Sequence, residues 1–336
     1  MSREEIKNSL LSLIQKEFPL VERPFKELGE KLSISEEEVL DILKEQKESS
    51  IIRQISPIFD TKKLGYKSSL VAFVVDEKDI DEAVKIINSH PGISHNYERN
   101  HRFNIWFTIA VAPDSKLGLE KSVELLAKLA KAKEYILLPT LKMFKIQVKL
   151  DTTGKESKKE KVSKRKFKDL NLTSFHKDVI AKTQYDLPLE KEPFKKVTQE
   201  LNISYEELFK IFNDFKDAGV MRRFAAILNH RRAGFNANAM VVWDVDEEKG
   251  EEIGKTAASF SAVSHCYLRP KYPNWPYNLF TMIHGKTEEE TNAVINEIAS
   301  EIEYKDKMPL YSTREFKKQR IIYFCDDFDK WEQSYL

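Results

Sequence analysis

The feature that most constrains this chain is that it repeats itself. Displaced by 169 positions, Pro19-Leu20 falls on Pro188-Leu189, and Pro24, Phe25 and Lys26 on Pro193, Phe194 and Lys195. Leu32, Ile34, Ser35, Glu37 and Glu38 fall on Leu201, Ile203, Ser204, Glu206 and Glu207. Ile42, Lys47, Arg53, Ile58 and Gly65 continue onto Ile211, Lys216, Arg222, Ile227 and Gly234. After one inserted residue, His95, Tyr97 and Arg99 fall on His265, Tyr267 and Arg269. Identities held in one register over such a span mark a tandem duplication, and two copies make an internal pseudo-dimer rather than a solenoid. With 336 residues, each copy has chain enough for cores of its own.

Each copy reads as two units. Apolar residues at Ile6, Leu10, Leu13 and Ile14 predict a helix over 4–17, and a short helix follows over about 24–31. Ser35 is an N-cap with three glutamates in the first turn behind it, where carboxylates suit the helix dipole. Residues 51–53 and 55–59 read as the strands of a wing, which completes a winged helix-turn-helix over 1–60. Strand 68–76, helix 79–89, strands 93–99 and 103–111, helix 117–131 and strand 135–148 then give a ferredoxin-like β-α-β-β-α-β unit over 66–150. The second copy repeats both, with a winged helix over 170–229 and a sheet unit over 235–325. The latter's elements fall at 237–245, 247–258, 262–269, 277–284 and 287–302, with a last strand within 309–324. The fold class is α+β. Residues 151–169 are lysine-rich without an apolar face and read as a solvated basic linker.

Composition excludes several partners. Lys and Arg number 55 against 54 Asp and Glu, so no global charge attracts nucleic acid or an anionic membrane. Cys266 and Cys325 are too few for a disulfide framework and lack metal-ligand spacing. No apolar run reaches membrane-span length and no signal-peptide pattern opens the chain, so a cytoplasmic protein is expected.

A winged helix followed by a β-α-β-β-α-β unit resembles the Lrp/AsnC family of transcription regulators. That resemblance implies DNA binding through the third helix, with small-sheet domains that pair and sense amino acids. The would-be recognition helix departs from it: Glu36, Glu37, Glu38, Asp41, Glu45 and Glu48 face only Lys44 and Lys47, a poor match to a phosphate-lined groove. The stretches HNYERNHRFNIWFT (95–108) and SHCYLRPKYPNWPYNLFTMIHG (264–285) resemble sirohaem decarboxylase, a branch of the same superfamily normally built from two related subunits. The first copy is similar to one subunit and the second to its partner, as in a fused form from d-type haem biosynthesis. The resemblance implies loss of carbon dioxide from two acetate side chains of sirohaem, giving didecarboxysirohaem. No cofactor is expected beyond the iron-bearing substrate. A DNA-binding regulator and a non-catalytic tetrapyrrole carrier are the rival readings. No specific nucleic acid and no membrane are expected as partners, and a further homodimer is left open.

Alternate residues of a strand share a face, so His95, Tyr97 and Arg99 project together, as do His265, Tyr267 and Arg269, with His101 and Lys271 just beyond. A flat macrocycle ringed by carboxylates needs arginines, whose planar forks pair carboxylates, and aromatic walls. Arg99, Arg269, Lys271, Arg53, Arg222 and Arg223 are therefore candidate substrate-binding residues, with Arg231 and Arg232 after His230 in second rank. Candidate walls are Phe103, Trp106, Tyr272, Trp275 and Tyr277. Decarboxylation needs a proton donor near the ring, for which His101, His265, Tyr97 and Tyr267 are candidates, and His101 or His265 could contact the iron. Where the first copy has His101, the second has Lys271, followed by YPNWPYN in place of RFN. Histidine titrates near neutrality and lysine does not, so His101 is expected to serve in proton transfer or iron contact. His284 is left open between core and pocket, and His90 and His176 are given no role.

Overall fold

The computed structural model describes residues 2–146, 167–229 and 237–336. The linker, apart from its last three residues, lies outside them, as do His230, Arg231 and Arg232. The first copy runs α1 (Arg3–Lys16), α2 (Pro24–Leu32), α3 (Glu36–Glu48), β1 (Ile52–Phe59), β2 (Lys67–Val74), α4 (Ile80–Ser89), β3 (Ile93–Arg99), β4 (Ile105–Val111), α5 (Gly118–Leu129), β5 (Glu134–Pro139) and β6 (Lys142–Ile146). The second runs α6 (Ser174–Thr183), α7 (Lys195–Leu201), α8 (Tyr205–Asp217), β7 (Met221–Leu228), β8 (Ala237–Asp244), α9 (Gly250–Ala258), β9 (Val263–Leu268), β10 (Leu279–Gly285), α10 (Glu288–Glu301), β11 (Asp306–Lys318) and α11 (Asp327–Gln333). Two compact units result, and each draws on both copies. One holds the described residues up to Leu64 and those of 167–229; the other holds the rest.

In the helical unit, the caps expected from sequence are present. Ser35 and Glu38 form a reciprocal capping box on α3, as Ser204 and Glu207 do on α8. The wing differs from expectation. The two strands expected over 51–53 and 55–59 are one, β1 from Ile52, which pairs antiparallel with β7 of the other copy, Ile55 opposite Ala226. A lone strand leaves its backbone groups unpaired, and its duplicate is the available partner. Equivalent ion pairs tie the copies at both ends of this ribbon: Lys47 with Asp186 at 2.7 Å, and Lys216 with Glu17.

In the other unit the strands follow the order β5-β2-β4-β3-β11-β8-β10-β9-β6. The two end strands are consecutive in the chain, with only Thr140 and Leu141 between them, so the sheet closes on itself as a barrel. The single strand expected over 135–148 is thus two. β5 pairs with its own copy's β2, and β6 with the other copy's β9. β11 does the same without a break, pairing first with β8 and then, from Ser312, with β3 of the first copy. Each copy thereby finishes the other's sheet. Lys145 and Lys317, at matching places in the exchanged segments, donate to the carbonyls of Phe260 (2.9 Å) and Asn88 (3.0 Å) in the opposite copy. Phe144 packs where Gly254 of α9 leaves no room for a Cβ.

The barrel has two faces. Outside, α4 and α5 cover a core with Phe73, Ile87, Phe107 and Leu126, and α9 and α10 cover one with Trp243, Ile253, Ile283 and Ile298. α11, beyond the expected end of the second sheet unit at 325, adds Trp331 to the first copy's core, 4.4 Å from the buried ring of His90. Inside, Ala72, Trp106, Ile136, Leu138, Met240, Val242, Trp275, Phe280 and Leu310 form one cluster from both copies.

Candidate functional site

The ladders seen in sequence point into this barrel. Directly opposed residues of antiparallel strands lie on one face. Tyr97 stands opposite Trp106, and Tyr267 opposite Phe280, both members of the interior cluster. His95 stacks on Tyr97 at 6.2 Å and His265 lies 6.1 Å from Tyr267, so the shared-face expectation holds in each copy.

The arginines of the ladders are buried, at 5 % exposure for Arg99 and 8 % for Arg269. Arg99 donates from Nη1 to the carbonyl of Leu310 at 2.7 Å. Arg269 donates to that of Leu138, the matching position, and to Thr140 Oγ1 at 3.3 Å. Each guanidinium lies over the neighbouring tyrosine, at 5.6 and 4.9 Å. Among the described residues neither has a carboxylate partner, and the Nε of each has no hydrogen-bond acceptor. Burial pulls both pKa values down to about 10, which leaves both cations at neutral pH. A buried charge without a counter-ion is costly, and an anionic ligand would relieve that cost.

One end of the interior is built by the second copy's insertion. Trp275, 1 % exposed, packs against Trp106 (5.2 Å), Phe103 (5.9 Å) and Tyr277 (5.1 Å). Tyr272 donates to the carbonyl of Leu137 at 2.5 Å, and Asn274 to Glu134, both on β5. All five expected aromatic walls line this interior. His101 belongs to the same cluster, stacked on Phe103 at 6.1 Å and edge-on to Trp275 at 5.5 Å. Its Nδ1 accepts from the amide of Phe103 at 3.0 Å, which leaves the proton on Nε2. Burial, and then the charge of Arg102, lower its pKa, so it is a neutral ring near pH 7.

The other basic candidates are engaged or belong to the helical unit. Lys271 is paired with Asp244 at 2.5 Å and donates to the carbonyl of Val245 at 2.9 Å, so its charge is already neutralised. Arg53, Arg222 and Arg223 belong to the helical unit. Arg222 is held by Asp60 at 2.7 Å, Arg53 is exposed, and burial lowers the pKa of the half-buried Arg223.

Beside the second ladder, sequence reasoning missed Ser264 and Asn238 and left His284 open between core and pocket. Ser264 Oγ lies 2.7 Å from His265 Nδ1 and 2.6 Å from His284 Nε2, and His284 Nδ1 lies 2.6 Å from Asn238 Oδ1. A comparison of the copies at this place would have found them. Asn238 and His284 stand opposite each other where the first copy pairs Ser68 with Ala110.

Known proteins share this architecture. Residues 63–145 and 232–317 match the model of an AsnC-like ligand binding domain, and 7–53 and 176–222 that of a "Siroheme decarboxylase NirDL-like HTH domain". A "Siroheme decarboxylase" of Hydrogenobacter thermophilus is 42 % identical over 96 % of both chains. The "Siroheme decarboxylase beta subunit" of Methanosarcina barkeri is 44 % identical over 91 % of its own length and 41 % of this chain, so its whole subunit corresponds to under half of the chain. The crystal structure of the siroheme decarboxylase NirDL, also solved with an iron-uroporphyrin III analogue, superimposes with a TM-score of 0.76 at 37 % identity. It covers 98 % of this chain and at least 97 % of its own.

Proposed function

Because the chain belongs to the sirohaem decarboxylase family, we propose that it removes carbon dioxide from acetate side chains of sirohaem, giving didecarboxysirohaem. The reaction would be that of a carbon-carbon lyase. Arg99 and Arg269 carry this reading: two buried guanidiniums without carboxylate partners among the described residues, in an interior walled by aromatic rings. Such a lining suits a ligand that is apolar on its faces and anionic at its rim. The arginines would hold carboxylates that stay, since a tight pair to the leaving one would stabilise the ground state as much as the transition state. The carbon-carbon bond breaks with its electron pair left on the methylene carbon. The macrocycle spreads that charge, a proton from the protein forms the methyl group, and carbon dioxide departs. Proton delivery of this kind contributes ~10²–10⁴ in rate. Tyr97, Tyr267 and His265 on the ladders, and His101 beside Phe103 and Trp275, are the candidates to supply that proton.

The test is to mix the purified protein with sirohaem without oxygen, record the spectrum and weigh the product. Loss of two carboxyl groups is expected. A shifted spectrum without loss of mass would identify a carrier instead, and no spectral change would remove tetrapyrroles from consideration.

A further inference from the structure

The two ladders are alike in sequence but have different hydrogen-bond partners. Four side chains of the second copy form a line: Asn238, His284, Ser264 and His265, with successive separations of 2.6, 2.6 and 2.7 Å. Its direction is fixed from one end. An amide oxygen only accepts, so His284 donates from Nδ1 to Asn238 Oδ1, and in the neutral ring its Nε2 accepts. The one proton of Ser264 then goes to that nitrogen, in preference to the carbonyl of Met282 at 3.4 Å. Ser264 Oγ is left as an acceptor for His265, whose Nδ1 carries the proton. The lone pair of His265 is therefore on Nε2.

The first copy has no counterpart of Asn238 or His284. Ser94 Oγ lies 3.0 Å from His95 Nδ1, but its other neighbour is the hydroxyl of Thr108 at 2.6 Å, and a hydroxyl can give or take a proton. Ser68 and Ala110 stand where the second copy has Asn238 and His284. The strands beyond the ladders differ too. Glu315 stands opposite Tyr97, whereas Met143 stands opposite Tyr267. A carboxylate beside the first ladder opposes a ligand rimmed by carboxylates, and a thioether does not.

We propose that His284, braced by Asn238, is a positioning residue that holds His265 through Ser264 with its proton on Nδ1, which makes the second copy's ladder the proton-transferring one. The proposal rests on the decarboxylase reading for its chemistry, but not for its geometry. His265 takes a proton from solvent at Nε2 and gives it to the methylene carbon as carbon dioxide leaves, so each cycle consumes one proton per carboxyl group and restores the neutral ring.

Nitrogen NMR of the full-length protein labelled with 15N-histidine reads the tautomer directly, with the His265 signals identified by their loss in His265→Gln. The expected result is protonated Nδ1 and unprotonated Nε2, with a shift towards protonated Nε2 in Ser264→Ala and in His284→Ala. His284→Gln should retain the native tautomer, because a carboxamide can accept from Ser264 and donate to Asn238 as neutral histidine does. In turnover, each alanine variant should lower kcat by about tenfold or more with KM little changed. The double variant should be no worse than either single one, because both break one line, and His284→Gln should recover most of the rate. A melting curve for each variant confirms folding, and Ser264→Ala carries the test should His284→Ala not fold. A wild-type His265 protonated on Nε2, or His284→Ala with unchanged kcat, would overturn the proposal. Absence of any mass loss by the wild type would sink the decarboxylase reading alone, since the tautomer is read without substrate.

Discussion

At the scale of single residues, the informative feature is charge that the protein does not itself neutralise. Many of the described cations are paired on the surface, as Lys31 is with Glu27. Arg99 and Arg269 are inside, and what each holds is a backbone carbonyl of the other copy, Leu310 on β11 or Leu138 on β5. They therefore have two tasks: one donor of each guanidinium secures the other copy's chain just before its exchanged segment, and the rest of its fork remains for a ligand. A hydrogen bond to a charged group contributes ~1.5–3 kcal/mol, so replacing the arginine of the working ladder by alanine should weaken sirohaem binding about tenfold or more. If the second ladder does the work, Arg269→Ala should lose more affinity than Arg99→Ala, while both lower the melting temperature through the lost carbonyl contact. Spectral titration beside thermal melting separates the two tasks. Equal, unchanged titration curves with lowered melting would leave the arginines as latches only.

At the scale of elements, the helix that would read DNA in a regulator is unsuited to it. On α3 the exposed residues are Glu37, Glu38, Asp41, Lys44, Glu45 and Glu48, and Lys47 is already engaged by Asp186. α8 exposes Glu206, Glu207, Asp214 and Asp217 against Lys210. Placing such faces against phosphates replaces counter-ion release with repulsion. No sequence-specific duplex binding is therefore expected at physiological salt, and residual binding should disappear as salt is raised. A selected operator retained in a gel-shift assay, and released by changes on α3, would show this wrong. Capping boxes and acidic first turns made these helices legible in sequence. The pairing of β1 with β7 was not, because both strands have the apolar residues a wing hairpin would also need.

For the whole molecule, the exchanged strands imply that the two halves stay together whether or not they are covalently joined. β6 is built into the second copy's sheet and β11 into the first's, with Lys145 and Lys317 anchoring each from within. Cutting a protease site placed in the linker between residues 152 and 164 should leave two fragments that co-elute in gel filtration and retain the melting transition of the intact chain. Separation into independent halves would refute the exchange as the basis of cohesion. The same argument accounts for relatives made as separate subunits: once strands are exchanged, the linker sets the stoichiometry and adds little to the contact.

What the sequence determined by itself was everything that depends on neighbours along the chain. Periodicity located the helices and strands, the duplication gave the pseudo-dimer, and alternation placed His95 with Tyr97 and Arg99, and His265 with Tyr267 and Arg269, on common faces. What only the tertiary structure decided was everything that depends on which strand lies beside which. The break after Pro139, the reach of Arg99 to Leu310, the folding of Trp275 over the first copy's aromatics, and the line from Asn238 to His265 all join residues far apart in sequence. Hydrophobic alternation fixes the face on which a side chain lies but not the strand that will lie next to it. That choice is made by the exchange of strands between copies, which gives each sheet a strand that its own copy does not supply.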